Sequence, residues 1–531
     1  MKKRRIIKSI FASMLAIIMV LSLTSIVSAA DPKATLTINN TVAGKTVDLY
    51  QVFSAIKNGT SVSYTLNTQY KPFFTSAANN KYGCSGKEGQ TLSDAAYNYV
   101  ANLSDNGKVD FAKEILKWSL DSANKVGKYN DIEIETAEPS TSVSVQDYGF
   151  YLVYLKGASD ITTSITGVTE YSPAILVNVT KTNVGINMKS SYPTVDKTIG
   201  NENHGEAAIG DEITYTLTSY VPDMTGYSSY TFKFKDTLSE GLTFKEIKSV
   251  MVDSSNLNAD TTGTAGYTQS IDTNNILTIE INNFINYKSN VGDKIVVTYT
   301  ATLNENALVG TNANNNSAVI EYSNDPSDVT KTDTSTPDIV PVYSFDFIIN
   351  KYYMNESNQK TALSGAKFKL YKDQECTDDN EVKLVQVDAG NADNDAVYRV
   401  AKIDENGVDV ISPANGKIHI KGLDANVKYY LKEIEAPTNY NLLFEPIEIT
   451  IVPTYTYDKL DSYKAEYIYN DATSESDNIE NLAPIINVEN KTGKELPNTG
   501  GMGTVIFTVG GLAIIGIMVG FSVMSKKKKK M

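Results

Sequence analysis

The chain has 531 residues and a formal net charge of −14, from 62 acidic side chains against 48 lysines and arginines. Setting aside the five basic residues clustered at each end takes the remainder to −24, which argues against a nucleic-acid partner. His204 and His419 are the only histidines and stand far apart, so a histidine-based metal or triad site has little support and no cofactor or metal is expected.

At the amino end, Lys2, Lys3, Arg4, Arg5 and Lys8 precede an apolar run from Ile10 to Val27 and the small residues Ser28, Ala29 and Ala30. That order is a secretory signal peptide, 1–30, which is removed before folding. Export leads to an oxidising space, yet only Cys84 and Cys376 are present and a disulfide between them is not expected. A long extracellular chain without disulfides needs some other cross-link.

From Asp31 to Thr499, a scale of roughly 150 residues per domain predicts three domains. We place them at 31–190, 191–341 and 342–495. Short alternating segments separated by Asn, Asp, Gly and Ser predict an all-β fold of tandem Ig-like sandwiches. Ile213, Tyr215 and Leu217 alternate with threonines, as Ile295, Val297 and Tyr299 alternate with Val296, Thr298 and Thr300. Helical spacing occurs only around Leu92–Leu103 and Phe111–Leu120, so the first domain is expected to carry a helical insertion. The Thr/Asp/Pro-rich stretch from Thr330 to Pro337 reads as a linker.

In the second domain the strand period puts polar groups on core faces. Val195, Lys197 and Ile199 share a phase; so do Phe232, Phe234, Asp236 and Leu238; so do Asn316, Ala318, Ile320 and Tyr322. The third domain repeats the pattern with Phe345, Phe347, Ile349 and Lys351, with Tyr429, Leu431 and Glu433, and with Ile486, Val488 and Asn490. A buried lysine, acid or amide is costly alone. In both trios the lysine is on an early strand, the acid in the middle and the asparagine on the final strand. First and last strands of such sandwiches commonly lie side by side, so the lysine and the asparagine are expected to meet.

The first domain yields no such trio: Asn178, Lys33 and Lys45 are noted, but no acid is singled out. Asn391, Asp393 and Asp395 alternate like the start of a calcium loop, but Ala396 and Lys402 stand where its glycine and glutamate belong. A solvated loop is the better reading.

At the carboxyl end, Gly503–Met524 is uncharged and about the ~20 residues a helix needs to cross a bilayer, and Lys526–Lys530 follows. Leu496, Pro497, Asn498, Thr499 and Gly500 stand just before that span. This order over 496–531 resembles the sortase sorting signal, which implies cleavage between Thr499 and Gly500 and transient anchoring by a transmembrane helix.

Two further stretches carry a family resemblance. Asp236–Leu242 and Asn316–Asn324 resemble the middle, isopeptide-forming domain of backbone pilins from Gram-positive sortase-assembled pili. Leu363–Phe368 and Tyr429–Glu433, with Ala436, Pro437 and Tyr440, resemble their collagen-adhesin B-type (CnaB-like) domain and its glutamate box, with Ile434 and Asn439 departing from the usual threonine and glycine. The resemblance implies a structural, non-enzymatic shaft subunit with bonds Lys197–Asn316 and Lys351–Asn490, formed within the chain with help from Asp236 and Glu433. Burial favours a neutral lysine as nucleophile and a protonated acid that can polarise the amide and pass a proton to departing ammonia.

The resemblance further implies an exposed lysine that accepts Thr499 of a neighbouring copy. Ile186 and Met188 alternate against Lys189, which makes Lys189 the expected acceptor and Lys181 its alternative; the family often has the lysine directly after Tyr-Pro, whereas Thr194 follows Tyr192-Pro193 here. Expected partners are a class C-type pilus sortase, a housekeeping sortase, identical subunits, minor pilins and peptidoglycan, at a cell-wall-anchored, extracellular location. The same features also suit a monomeric wall-anchored adhesin with a host surface ligand.

Overall fold

The computed structural model describes residues 34–134, 140–158, 174–188, 192–470, 472–478 and 482–492. The segment 1–30 read as a signal peptide, Lys33, Lys189, the pentapeptide Leu496–Gly500 and the apolar stretch of the tail lie outside these residues.

Alternation along the chain decides how the strands stack. In Glu212–Tyr220, Ile213, Tyr215 and Leu217 are buried while Glu212 and Thr214 face solvent. A two-residue period gives each strand one apolar face, and pairs of sheets close on those faces.

The first such pair sets a sheet of Ser140–Val145, Ala34–Asn39 and Asn183–Asn187 against one built on Thr46–Asn58, with Ser61–Leu66, Tyr148–Leu155 and Ala174–Val179. Leu36, Ile38, Leu49 and Val153 fill the space between them. Tyr50, Val52, Leu152 and Tyr154 alternate with those residues and point to the opposite face. That face is covered by the helical insertion, whose helices Gly89–Ala101 and Asp105–Leu120 pack Leu92, Ala96, Phe111 and Ile115 inward. Ser104 begins the second helix by accepting a hydrogen bond from Gly107 N at 3.1 Å.

In the second sandwich, Asp196–Ile199, Glu212–Tyr220, Lys294–Leu303 and Leu242–Val252 form one sheet. Asp338–Tyr343, Asn314–Ser323, Phe232–Leu238, Ile276–Ile281 and Tyr267–Ile271 form the other. The third sets Phe345–Met354, Lys417–Leu423, Ala396–Val400 and Ile485–Glu489 against Lys367–Tyr371, Lys428–Glu435, Ile447–Thr456 and Lys459–Tyr469.

The stretch read as a linker is part of the second sandwich. Thr332–Thr334 pairs with Asn314–Ser323, and the Ser335 hydroxyl accepts from Ile320 N at 2.9 Å. Threonine suits a pleated strand, and this local preference outweighs the loop-like composition.

Side chains cross between neighbouring sandwiches. Lys156 pairs with Asp325 at 2.5 Å, and Lys45, read without a partner in sequence, donates to Tyr322 Oη at 2.8 Å and pairs with Asp333. Between the second and third sandwiches the exchange is apolar: Ile209 is buried in the third core, and its backbone N donates to Gly422 O at 3.0 Å. A Cβ on Gly422 would lie 2.5 Å from Ile209 Cδ1, and the residue has φ +85°, so both space and backbone call for glycine there.

Ile209→Ala should therefore destabilise the third sandwich by about 2–5 kcal/mol, although it precedes that sandwich in sequence. Urea unfolding, with hydrogen exchange read at Lys417–Leu423, checks this; unchanged protection there would remove Ile209 from the third core.

Candidate functional site

Two clusters of ionisable side chains lie fully inside the apolar cores. The first is built from three strands of the second sandwich. Lys197 sits opposite Leu217 at the edge of one sheet, while Asp236 and Asn316 come from adjacent strands of the facing sheet, where Asp236 is opposite Ala318 and Leu238 opposite Asn316. All three side chains are buried.

Lys197 Nζ donates to both Asp236 carboxylate oxygens at 2.6 Å and to Tyr299 Oη at 3.0 Å. Tyr299 Oη in turn donates to Asp236 and accepts from Asn316 Nδ2 at 2.6 Å. The Asn316 carbonyl oxygen is buried and has no hydrogen-bond partner among the described residues. Burial pushes the Lys197 ammonium down to about 8, against the opposing pull of Asp236, so the free amine is far more accessible near neutral pH than for a solvated lysine. The rings of Tyr215 and Tyr299 stack 5.2 Å apart beside the amine.

In the third sandwich the same residue types are arranged differently. Phe345–Met354 and Ile485–Glu489 run side by side and parallel, with Lys351 opposite Val488. Asn490 follows the second of these strands, its N–H donating to Tyr352 O at 3.0 Å. The Lys351 amine rests directly against Asn490 Oδ1 and lies 3.0 Å from Glu433 Oε1, which reaches in from the facing sheet. Asn490 Nδ2 donates to the two Glu433 oxygens at 3.0 and 3.2 Å and to Asn441 O at 3.0 Å. Leu443 N donates to Glu433 Oε2 at 2.9 Å. Burial lowers the Lys351 ammonium to about 8 as well, against the pull of Glu433.

The structure thus brings both sequence trios together, but the strand rule holds only for the third sandwich. In the second, Asn316 is not on the final strand: Thr332–Thr334 and Asp338–Tyr343 follow it, and Lys197 faces Asn316 across the sandwich. Reading Thr330–Pro337 as a linker, although it contains the strand Thr332–Thr334, makes Asn314–Ser323 look terminal.

Sequence reading also missed Tyr299. Its phase marked it as core, and the overlooked signal was its hydroxyl, a polar group that needs a partner when buried. Of the residues noted in the first sandwich, Asn178 exchanges hydrogen bonds with Tyr64 Oη at 2.7 and 3.0 Å, and Lys45 is committed to Asp333. Lys181 is exposed beyond Ala174–Val179, and Lys189 lies outside the described residues.

No group of three or more His, Cys, Asp or Glu side chains able to hold a metal occurs among the described residues. His419 pairs with Asp346 at 2.7 Å, while His204 lies 3.7 Å from Asp458 near the junction of the second and third sandwiches. Both cysteines are free.

Residues 347–462 match the SpaA family model, described as a prealbumin-like fold domain, and residues 488–530 match the LPXTG cell wall anchor motif. The trypsin-resistant surface T6 protein of Streptococcus pyogenes serotype M6 is 27% identical over 410 residues, 64% of this chain and 70% of that protein. Among solved structures, the T6 backbone pilin of S. pyogenes is 18% identical with a TM-score of 0.48, covering 87% of this chain and 99% of that one. The major pilin SpaD of Corynebacterium diphtheriae is 16% identical with a TM-score of 0.46, covering 88% and 99%. This mostly β chain is thus similar over much of its length to a streptococcal surface protein, and it carries a prealbumin-like domain and a cell-wall anchor motif.

Proposed function

We propose that the chain is the shaft subunit of a covalent surface polymer, built of modules 31–190, 191–341 and 342–495, and that two of its modules close their own Lys–Asn amide bonds. The observation that carries the internal chemistry is the arrangement at Lys351, where a buried amine lies against the Asn490 carboxamide and Glu433 holds the nitrogen that must leave.

With the shared proton on the acid, the lysine is a free amine. It attacks the asparagine Cγ, the acid gives its proton to the departing nitrogen and takes one back from the newly bonded lysine nitrogen, and neutral ammonia is released. One N–C bond forms and one breaks, with no oxidant or cofactor. Each acid acts once, and the product is Lys351–Asn490 in the third module. In the second module Tyr299 relays between Lys197, Asp236 and Asn316, and the product is Lys197–Asn316.

A pilus sortase would cut between Thr499 and Gly500 and join Thr499 to Lys189 of the next copy, with Lys181 as the alternative acceptor. A housekeeping sortase would attach the finished polymer to peptidoglycan, with minor pilins as further partners. A contact that repeats head to tail without closing generates a filament.

Intact mass of the extracellular chain should be about 17 Da below the sequence value for each internal bond, the mass of ammonia lost in the condensation. Asp236→Ala and Glu433→Ala should each restore one such increment and lower thermal stability. An unchanged mass in the unaltered protein would end the internal-bond reading.

A pH test separates a bond from an ion pair. In Asn316→Ala, Lys197 stays a titrating amine whose folded value, about 8, lies below its unfolded one near 10.5. The unfolded chain then binds more protons between those values, so stability rises as pH increases from about 8 to above 10. In the linked protein Lys197 is an amide and that rise is absent; urea unfolding of the two across this window should differ in slope.

Lys189→Arg should abolish the high-mass ladder in cell-wall extracts while single subunits remain wall-attached. A ladder that survives this change but disappears with Lys181→Arg would move the acceptor to Lys181. A single band from the unaltered protein would favour a monomeric adhesin.

A further inference from the structure

The described chain leaves the third sandwich at one end, which also carries an anchored apolar loop. Lys428–Glu435 and Ile447–Thr456 are antiparallel neighbours, so residues 436–446 connect them at the end that holds Glu433 and Asn490. The loop is tied down on both sides: Leu443 N donates to Glu433 Oε2 at 2.9 Å, and Asn441 N donates to Lys491 O at 2.9 Å. Tyr440 bridges to Thr492, the last described residue.

Within this fixed backbone Leu443 packs against the core, and the residues on either side point out. Leu442 is 50% exposed and Phe444 88% exposed. Single exposed apolar residues are ordinary. Two flanking an inward anchor, on a loop hydrogen-bonded to the strand that leads to the sorting pentapeptide, form a surface held ready for contact.

We propose that Leu442 and Phe444 form the non-covalent docking surface of the joint between subunits, seated on a second copy of this chain. The inference rests on the polymer reading above and adds the contact that precedes and supports the covalent join.

The occupant follows from the length of the connection. Seven residues, from Gly493 to Thr499, separate Thr492 from the atom to be joined, and a fully extended chain of that length spans at most about 25 Å. A second copy joined at Thr499 is therefore held against this end of the sandwich. A short tether of this kind gives an effective concentration on the order of millimolar, so even a weak apolar contact is occupied once the bond exists. Before the bond exists, the same contact would bring the acceptor to the acyl-sortase and should speed joining.

The test uses the extracellular chain with its sorting pentapeptide, a pilus sortase, and the double variant Leu442→Ser/Phe444→Ser. Two rates are compared: formation of the covalent dimer, and release of Thr499 to hydroxylamine, a small nucleophile that needs no docking. The variant should form dimer at least tenfold more slowly while hydroxylamine release stays within twofold, and Phe444→Trp, which keeps an apolar ring, should retain the dimer rate. The double variant must keep its intact mass and unfolding midpoint, so that a slow reaction is not misfolding. Dimer formation within twofold of the unaltered chain would overturn the docking proposal. A parallel fall in both rates would assign the loop to the sortase or to the chain's own residues 493–498 and would also overturn it. No dimer from the unaltered chain would reject the polymer reading, and the docking surface with it.

Discussion

A lysine ammonium inside an apolar core is the constraint on which the rest of this structure depends. Taking such a charge out of water costs several kcal/mol even after relaxation, and removing its partner typically destabilises by about 3–5 kcal/mol. Lys197 and Lys351 are both fully buried, and each is met by an equally buried carboxylate. The surrounding strands must therefore hold lysine and acid together inside the core, with the amide in direct contact at Lys351 and reached through Tyr299 at Lys197. Condensing amine and amide, as proposed, would remove that charge and with it the cost of burying it.

The two sandwiches meet this constraint by different routes. In the third, lysine and asparagine stand on parallel neighbours within one sheet and the acid reaches across from the other, so a Lys351–Asn490 bond would tie the strand that enters the sandwich to the one that leaves it. In the second, the acid and the asparagine share a sheet and the lysine crosses over, so a Lys197–Asn316 bond would tie the two sheets together. The crossing geometry needs Tyr299 as an intermediary, whereas the neighbouring geometry brings amine and amide into direct contact.

The sandwiches are also joined to each other. Lys45 lies over the rings of Tyr192 and Tyr322 at 4.7 and 5.2 Å while pairing with Asp333, which secures the first to the second. Beyond it, Ile209 belongs to the third core, and Glu206 accepts from Tyr455 Oη at 2.8 Å and Asn426 Nδ2 at 3.1 Å. A subunit loaded along its length would thus transmit force through packed junctions as well as through the chain. The charge of −24 between its basic ends keeps crowded copies of such a protein apart in solution.

Strand phase was legible in the sequence because the side-chain period of a strand is two whatever its neighbours are. From it followed the burial of Lys197, Asp236, Asn316, Lys351, Glu433 and Asn490, and the helical insertion followed from its different period. Which sheet each strand joins was decided only in three dimensions, since that depends on pairing between residues far apart in sequence. Hence Asn316 proved to lie across the sandwich from Lys197, and Thr332–Thr334 proved to be a strand. The partners of the Tyr299 hydroxyl and the anchoring of the 436–446 loop were likewise invisible in sequence, because a hydrogen-bond partner is chosen by proximity in space, and local pattern carries no record of it.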